Sequence, residues 1–326
     1  MSYEPSDYSS APPALRDFLF YLLTIKGRSP LTVENYYLDL RCFFRYIKQQ
    51  RKLAPSVPFE QIDISDVDLD LIRSITLSDA YGFLNFTYQK RRNTPTTRCR
   101  KVSSLRTFFK YLTNNAGILK NNPMEHLEQP AKAKTLSKHL SLEQSFELLH
   151  SFDTSDPFYT RDFCMITLFL NCGMRLSELT GLDLSSISGN TLTVIGKGNK
   201  ERQLYLNDAC LQAIAQYLPD RGKLPQIVDK NALFLNRNGK RLGQRRVQQL
   251  VTEQLEKAGL SGLGFSTHKL RHTAATLMYQ YGEVDIRVLQ EILGHVNLNT
   301  TQIYTHVSSR QKESAIESNP VSKFKK

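Results

Sequence analysis

A segment with little helical periodicity, residues 128–140 (E-Q-P-A-K-A-K-T-L-S-K-H-L), interrupts the chain before its middle. It contains a proline, small residues and three lysines, a composition typical of a connection between packed elements. A chain of 326 residues is long enough to build a hydrophobic core on each side of it. We therefore predict a domain over residues 1–130, a linker over residues 131–140 and a second domain over residues 141–326.

The first domain shows helical apolar spacing. Ser29-Pro30 supplies an N-cap and a proline at the first helical position. The predicted helices cover residues 14–26, 30–50, 78–90 and 95–114. Residues 51–77 are less regular, contain two prolines and carry an acidic patch to which the sequence assigns no role. The pattern predicts an all-helical domain.

The second domain combines helices with one β-hairpin. Residues 191–195 and 201–206 alternate apolar and polar side chains around the turn G-K-G-N-K. Ser141 and Gln144 form a capping-box pattern. Predicted helices start at Ser141 and near residue 174 and cover residues 157–171, 208–218, 245–258, 267–281, 285–293 and 310–318. The expected fold class is mainly α with a small β-sheet: an all-helical N-terminal domain followed by a mixed α/β, mostly helical, domain.

The charge distribution points to a polyanionic partner. The formal net charge is +12, and no acidic residue occurs between Asp79 and Glu125, where nine basic residues lie. A solvated helix face is the alternative, but so long a stretch without a carboxylate favours phosphate contact. The DNA contacts that we predict are Lys90, Arg91, Arg92, Arg98, Arg100, Lys101 and Arg106, with Arg245 and Arg246 in the second domain.

Cysteine usage and hydropathy indicate the compartment. Five scattered cysteines without a C-x-x-C pair favour reduced, mostly buried thiols. The polar, acidic N-terminus does not resemble a signal peptide, and the longest apolar run, residues 163–170, is too short to span a bilayer. We expect a cytoplasmic protein that does not bind to a membrane.

Residues 266–307 concentrate side chains that could carry chemistry. They are His268, Arg271, His272, His295, Tyr304 and His306. The His268–His272 spacing suggests a metal site, but a metalloprotease needs glutamate at position 269, where Lys269 would repel a dication. The chain also lacks a G-x-S-x-G elbow. We therefore predict neither a metal site nor a serine hydrolase.

The remaining candidates are positively charged side chains that could bind a phosphate. Arg175 follows a buried-looking helix and needs a partner, which Glu178 could supply three residues later. Lys197 lies between two glycines in the hairpin turn, where a lysine is ordinarily just solvated. Arginines can hold the oxygens of a phosphodiester, and nearby cations favour a tyrosine phenolate. Attack by tyrosine keeps the phosphodiester energy in a covalent bond, so no cofactor is needed.

Five motifs occur in order along the second domain. They are C-G-M-R-L-S-E-L (172–179), G-K-G-N-K-E-R (196–202), H-K-L-R-H-T-A-A-T (268–276), L-G-H (293–295) and T-T-Q-I-Y-T-H-V (300–307). In these motifs the chain resembles the tyrosine recombinase (integrase) family, most of all its bacterial Xer-type branch of site-specific recombinases. The first domain resembles the helical core-binding (SAM-like) domain of that family. Thr267 departs from the branch, which often has proline before the first histidine.

The resemblance implies a role for each matching residue. Tyr304 would be the nucleophile that forms a 3′-phosphotyrosyl bond. Arg175 and Arg271 would hold the scissile phosphate, and Glu178 would brace Arg175. Lys197 would protonate the leaving 5′ oxygen. His268 and His295 would stabilise the transition state and assist proton transfer.

The resemblance also implies an assembly. Two domains would form a C-shaped clamp around double-stranded DNA that carries a specific recombination site. A homotetramer, with a dimer on each of two sites, would exchange strands through a Holliday junction, and the tail after Tyr304 would dock on a neighbouring protomer. A hetero-tetramer with a second recombinase stays an alternative.

Several biological and chemical alternatives stay open. The task could be chromosome dimer resolution, plasmid maintenance, or integration and excision of a mobile element. A type IB topoisomerase would share the active-site logic but would relax DNA as a monomer without sequence preference. A non-catalytic DNA-binding protein is a further alternative, disfavoured by the complete set of catalytic positions.

Overall fold

The computed structural model describes residues 8–131, 138–196, 200–282 and 284–294. The chain divides into two compact units, Met1–Lys134 and Thr135–Lys326. The boundary between the units falls inside the linker predicted over residues 131–140. Each unit has its own hydrophobic core.

Within residues 8–131, the N-terminal unit contains five α-helices. They are α1 (Pro13–Phe20), α2 (Pro30–Gln50), α3 (Leu69–Arg73), α4 (Leu77–Gln89) and α5 (Pro95–Asn114). Ser29 caps α2 as predicted, because its hydroxyl accepts a hydrogen bond from the backbone N–H of Thr32 (3.3 Å). The predicted first helix is longer than α1 because it continues as a π-helical segment, Tyr21–Ile25.

Aromatic side chains dominate the core of this unit. Phe43 packs edge-to-face on Phe83 (ring centroids 5.1 Å apart), and Phe18 packs in the same way on Phe108 (5.3 Å). These rings come from α1, α2, α4 and α5, so they join the helices of the unit around one centre.

The acidic segment of residues 51–77 packs against α2. Its apolar side chains are buried at Ile62, Ile64, Val67, Ile72 and Ile75. Its carboxylates pair with cations of α2: Asp66 with Lys48 at 2.6 Å and Glu60 with Arg45 at 3.1 Å. The segment, which includes the unpredicted helix α3, therefore contributes to the fold of the unit.

The described part of the C-terminal unit contains seven α-helices and a three-stranded antiparallel sheet of order β1-β2-β3. The helices are α6 (Leu142–His150), α7 (Tyr159–Cys172), α8 (Leu176–Gly181), α9 (Asp208–Gly222), α10 (Gln244–Lys257), α11 (Thr267–Tyr281) and α12 (Ile286–Leu293). The strands are β1 (Ile187–Ser188), β2 (Thr191–Ile195) and β3 (Glu201–Tyr205). The predicted hairpin is confirmed as β2 and β3, whereas β1 was not predicted.

Helix ends in this unit follow the sequence signals. Ser141 and Gln144 form the expected capping box at the start of α6. Gly294 ends α12 in the left-handed conformation (φ 62°), as predicted for a glycine at that place. The predicted helix at residues 310–318 lies outside the described residues.

Helix α7 forms the centre of the C-terminal core. Its residues Cys164 to Phe169 are buried among side chains of α9, α10 and the sheet. All five cysteines of the chain are buried free thiols, and the Sγ atoms of Cys172 and Cys210 are 3.9 Å apart. Among the described helices, none combines the length and the apolar character that crossing a membrane requires.

Candidate active site

A cavity of about 250 Å³ opens in the C-terminal unit where α8, α10 and α11 meet. Arg175, His268 and Arg271 line it, together with Ser177, Gln244 and Thr267. Arg175 immediately precedes α8, and the other two predicted site residues lie on α11. Three groups that are up to 96 positions apart in the sequence therefore border one space.

The carboxylate of Glu178, next to this cavity, binds the guanidinium groups of Arg175 and Arg202. Its side chain is fully buried, and Oε1 accepts hydrogen bonds from Nη1 of Arg175 (2.7 Å) and Nη1 of Arg202 (2.7 Å). Oε2 accepts from the backbone N–H of Arg175 (2.7 Å) and from Nη2 of Arg202 (2.9 Å). The contact between Arg175 and Glu178 that the spacing predicted is present.

The environment keeps Glu178 ionised. Burial by itself would raise the pKa of this carboxyl group, but the hydrogen bonds from Arg202 and from the backbone and side chain of Arg175 lower the pKa to about 2. A permanent negative charge therefore lies between the guanidinium groups, which reduces the repulsion among them.

Arg271 is held on two sides. Its side chain is 3% exposed, and Nη1 donates to the carbonyl of Gly173 (2.8 Å) while Nη2 donates to the carbonyl of Leu293 (2.5 Å). Gly173 ends α7 in the left-handed conformation (φ 57°), and a Cβ atom there would lie 3.1 Å from Cδ2 of Leu293. The guanidinium therefore rests on the point where the ends of α7 and α12 meet.

His268 makes a pair with a second histidine. Nε2 of His268 lies 3.0 Å from Nε2 of His272, one turn later on α11, and the two rings pack edge-to-face. Since a hydrogen bond between two ring nitrogens needs one donor and one acceptor, the contact requires at least one neutral imidazole. Partial enclosure lowers the pKa of His268, and the charges of Arg271, Lys269 and Arg175 lower it further.

We expect His268 to titrate below the ordinary histidine value of 6.5. The imidazole resonances of His268, followed by NMR from pH 5 to pH 8, should show a midpoint below 6.5. The Lys269→Gln variant should raise this midpoint because it removes one neighbouring cation. A midpoint at or above 6.5 would contradict the arrangement of charges described for the cavity.

Three predicted catalytic residues, Lys197, His295 and Tyr304, lie outside the described residues. In the chain, Lys197 comes between β2 and β3, and His295 directly follows Gly294. The structure thus brings together Arg175, Glu178, His268 and Arg271, and the catalytic roles of all seven residues stay predictions.

The basic residues predicted to contact DNA differ in their exposure. Lys90, Arg91, Arg92, Arg106, Arg245 and Arg246 are exposed, while Arg98 and Arg100 are half-buried. Arg91 pairs with Glu60 (2.6 Å), and Arg246 pairs with Glu253 (2.8 Å). Nη1 of Arg100 lies 2.5 Å from Oδ2 of Asp39, a buried carboxylate that also pairs with Lys101.

Lys101 requires a correction. It is 7% exposed, and its Nζ lies 3.1 Å from Oδ1 of Asp39, inside the N-terminal unit. An ammonium group buried against a carboxylate is part of the interior, so the expectation of a surface cation was wrong for Lys101. A signal was available, because Lys101 precedes the buried residues Leu105 and Phe108 by four and seven positions on α5.

Comparisons with known proteins place the chain in a family. The model of the phage integrase family matches residues 138–311, and that of the phage integrase N-terminal SAM-like domain matches residues 15–116. The tyrosine recombinase XerC of Caldanaerobacter subterraneus subsp. tengcongensis is 51% identical over 312 residues, which cover 95% of this chain and 88% of that protein. The chain belongs to the phage integrase family of tyrosine recombinases. It is a tyrosine-type site-specific recombinase, an enzyme that cuts and rejoins DNA.

Solved structures agree with the fold of the recombinase. The post-cleavage complex of the site-specific recombinase XerH with palindromic difH substrate has a TM-score of 0.73 at 21% identity, covering 97% of both chains. A lambda integrase tetramer bound to a Holliday junction has a TM-score of 0.61 at 18% identity, covering 89% of this chain and 76% of that one. These likenesses confirm the predicted fold class, mainly α with a small β-sheet.

Sequence reasoning gave no role to Arg202 of the recombinase. The structure makes it a direct neighbour of Glu178, with a side chain that is 14% exposed. Arg202 is the last residue of the motif G-K-G-N-K-E-R. Because 24 positions separate it from Glu178, helical or strand periodicity could not predict that the two residues are in contact. The contact arises because β2, the strand paired with β3, packs beside α8.

Proposed function

We propose that the recombinase cleaves one strand of duplex DNA at a specific site by attack of Tyr304 on the scissile phosphate. The observation that carries this proposal is the convergence of Arg175, Arg271 and His268 on one cavity above a buried carboxylate. Two guanidinium groups held in place can neutralise a phosphodiester and the charge of its pentacoordinate transition state. The cavity therefore suits a scissile phosphate.

The chemical step exchanges one ester for another. The phenolic proton of Tyr304 passes to one of the assisting histidines, His268 or His295, as the phenolic oxygen forms a bond to phosphorus. The bond from phosphorus to the 5′ oxygen breaks, and Lys197 gives its proton to that leaving oxygen. His268 and His295 stabilise the transition state and assist proton transfer. Attack by a 5′ hydroxyl on the 3′-phosphotyrosyl bond reverses the reaction, so strand joining needs no cofactor.

We further propose that the reaction proceeds in a tetramer. Two DNA sites, each bound by a dimer, would exchange strands through a Holliday junction. The structure of a lambda integrase tetramer bound to a Holliday junction supports this proposal. Residues 1–130 would bind DNA, residues 131–140 would link the domains, and residues 141–326 would catalyse the reaction. The enzyme would act in the cytoplasm. Chromosome dimer resolution is the favoured task because a XerC protein is 51% identical.

A paired-site assay tests this function. The recombination site is first selected from random-sequence duplexes that the wild-type protein cleaves, and two copies are then placed on one supercoiled plasmid. We expect recombinant products that require both copies. Relaxation of plasmids that lack the site, without recombinants on the two-site plasmid, would support a type IB topoisomerase instead.

Covalent chemistry is followed on a trapping substrate. This is a duplex with the selected site and a nick just 3′ to the cleavage point. The short fragment that carries the new 5′ hydroxyl dissociates from it and cannot reverse the reaction. We expect wild-type protein to accumulate as a protein–DNA adduct on this duplex.

Arg106 offers a test of DNA binding by the N-terminal unit. Arg106 is exposed on α5, and we expect the Arg106→Ala variant to weaken binding to all duplexes and to reduce the slope of log K against log salt by about 1. The matched control is Arg73→Ala on α3, where the arginine is exposed and paired with Asp70 in the acidic segment. Equal salt slopes for Arg106→Ala and wild type would exclude Arg106 from phosphate contact.

A further inference from the structure

Three arginines converge on the end of α12. Nε of Arg202 donates to the carbonyl of Ile292 (3.0 Å), Nη2 of Arg271 to that of Leu293 (2.5 Å) and Nη2 of Arg175 to that of Gly294 (3.0 Å). The last carbonyls of a helix have no partner within the helix and form the negative end of its dipole. Three successive acceptors are thus each satisfied by a different guanidinium.

Arg202 differs from the other two arginines in where it comes from. It lies on β3 opposite Val194 of β2, so its side chain extends from the hairpin itself. Its bidentate contact with Glu178 and its contact with Ile292 connect this hairpin to α8 and to the end of α12. Among the described residues of β2 and β3, Arg202 is the one that forms an ion pair outside the hairpin.

The base of the hairpin turn lies against the same carboxylate. The backbone N–H of Gly196 donates to the carbonyl of Lys200 (2.7 Å), which closes the turn. A Cβ atom at Gly196 would lie 3.6 Å from Nη1 of Arg202 and 3.6 Å from Oε1 of Glu178. The residue that immediately precedes Lys197 is therefore adjacent to the pair of Arg202 and Glu178.

We propose that Arg202 is a positioning residue for strand cleavage, which fastens the β2–β3 hairpin to Glu178 and so sets where Lys197 delivers its proton. This inference rests on the proposed role of Lys197 as the general acid. Without Arg202, Glu178 keeps two hydrogen bonds from Arg175, whereas the hairpin loses its described ion pair. The loss therefore falls on proton delivery to the leaving group and spares the contacts between Arg175 and Glu178.

A change of leaving group tests this route. The trapping substrate is prepared in two forms, one with the ordinary scissile phosphate and one with sulfur in place of the bridging 5′ oxygen. A thiol with a pKa of about 8.5 leaves as a thiolate without a proton donor, so the sulfur form does not need the general acid. Single-turnover cleavage rates are measured for wild type, Arg202→Met, Lys197→Ala and Arg175→Ala.

We expect Arg202→Met to cleave the ordinary substrate about 100-fold more slowly than wild type, within the range that general acid catalysis contributes. On the sulfur substrate, its rate should return to within about tenfold of wild type, as should that of Lys197→Ala. Arg175→Ala should stay slow on both substrates, because phosphate binding does not depend on the leaving group.

Rescue of Lys197→Ala without rescue of Arg202→Met would overturn the proposal, and so would a normal rate of Arg202→Met on the ordinary substrate. Failure of the sulfur to rescue Lys197→Ala would refute Lys197 as the general acid, and with it the route assigned to Arg202. Should Arg202→Met not fold, Arg202→Lys undergoes the same comparison. It keeps the charge but loses the bidentate geometry, so the same pattern of rescue is expected.

Discussion

The Tyr304→Phe variant is expected to form no covalent adduct on the trapping substrate while it binds the same duplex as tightly as wild type. Phenylalanine keeps the ring but lacks the oxygen that would bond to phosphorus. Removal of a covalent nucleophile costs on the order of 10⁶-fold in rate for other enzymes, so the adduct should fall below detection. Denaturing gel electrophoresis measures the adduct, and a mobility shift under native conditions measures binding.

A second tyrosine provides the control for this result. Tyr281, at the end of α11, is 61% exposed, and Tyr281→Phe should form the adduct at the wild-type rate. An adduct that persists in Tyr304→Phe and disappears in Tyr281→Phe would transfer the nucleophile to Tyr281. Loss of DNA binding in Tyr304→Phe would show that the residue acts in the fold or in assembly.

The Glu178→Gln variant is expected to lose both stability and activity. An amide NH₂ group cannot accept hydrogen bonds from Arg175 and Arg202, and the half-buried guanidinium groups would lose their buried counter-charge. Breaking a buried ion pair from one side lowers the free energy of unfolding by about 3 kcal/mol or more. We also expect a loss of adduct formation of at least about 100-fold, since Arg175, which we propose to hold the scissile phosphate, would be displaced.

The difference in free energy of unfolding between Glu178→Gln and wild type should depend on pH in one direction. The pKa of Glu178 is about 2 in the folded protein and would be near 4.5 without these partners. Its stabilising contribution is therefore complete above about pH 4.5 and is lost as the pH falls toward 2. Urea unfolding at pH 7 and at pH 4 should show a larger deficit of Glu178→Gln relative to wild type at pH 7.

Glu253→Gln is the matched control, since it removes a carboxylate that also pairs with an arginine. This pair is open to solvent, with side chains 45% and 55% exposed. Exposed pairs contribute little, so the free energy of unfolding should change by no more than about 1 kcal/mol. An equal loss in both variants would mean that burial of Glu178 has no energetic consequence.

The helices and the hairpin were predictable because their signals are local. The cap at Ser29, the capping box at Ser141 and the glycine at position 294 each depend on neighbours within a few residues. Helix α3 has only five residues, too few for apolar periodicity to appear. Strand β1 has two residues and depends on pairing with β2, so no local pattern could reveal it.

In the site too, contacts between residues that are close in sequence were predictable, and contacts that depend on tertiary packing were not. Arg175 and Glu178 are three residues apart on one turn, and His268 and Arg271 share a helical face, so their proximity could be deduced from spacing. Arg202 meets Glu178 because β2, the strand paired with β3, packs against α8, and spacing does not encode this packing. The burial of Lys101 was missed because a run of positive charge was interpreted without the apolar stripe to which that lysine belongs.

The close approach at Gly173 bears on how such an enzyme can be modified. A side chain there would meet Leu293 and would need a left-handed backbone that other residues rarely adopt. The carbonyl of Gly173 also holds Arg271, so any shift of the backbone would move a guanidinium of the cavity. A mutant library made to redirect the enzyme to new DNA sites should therefore leave codon 173 unchanged. Diversity belongs instead at exposed positions of the N-terminal unit such as Arg92 and Arg106.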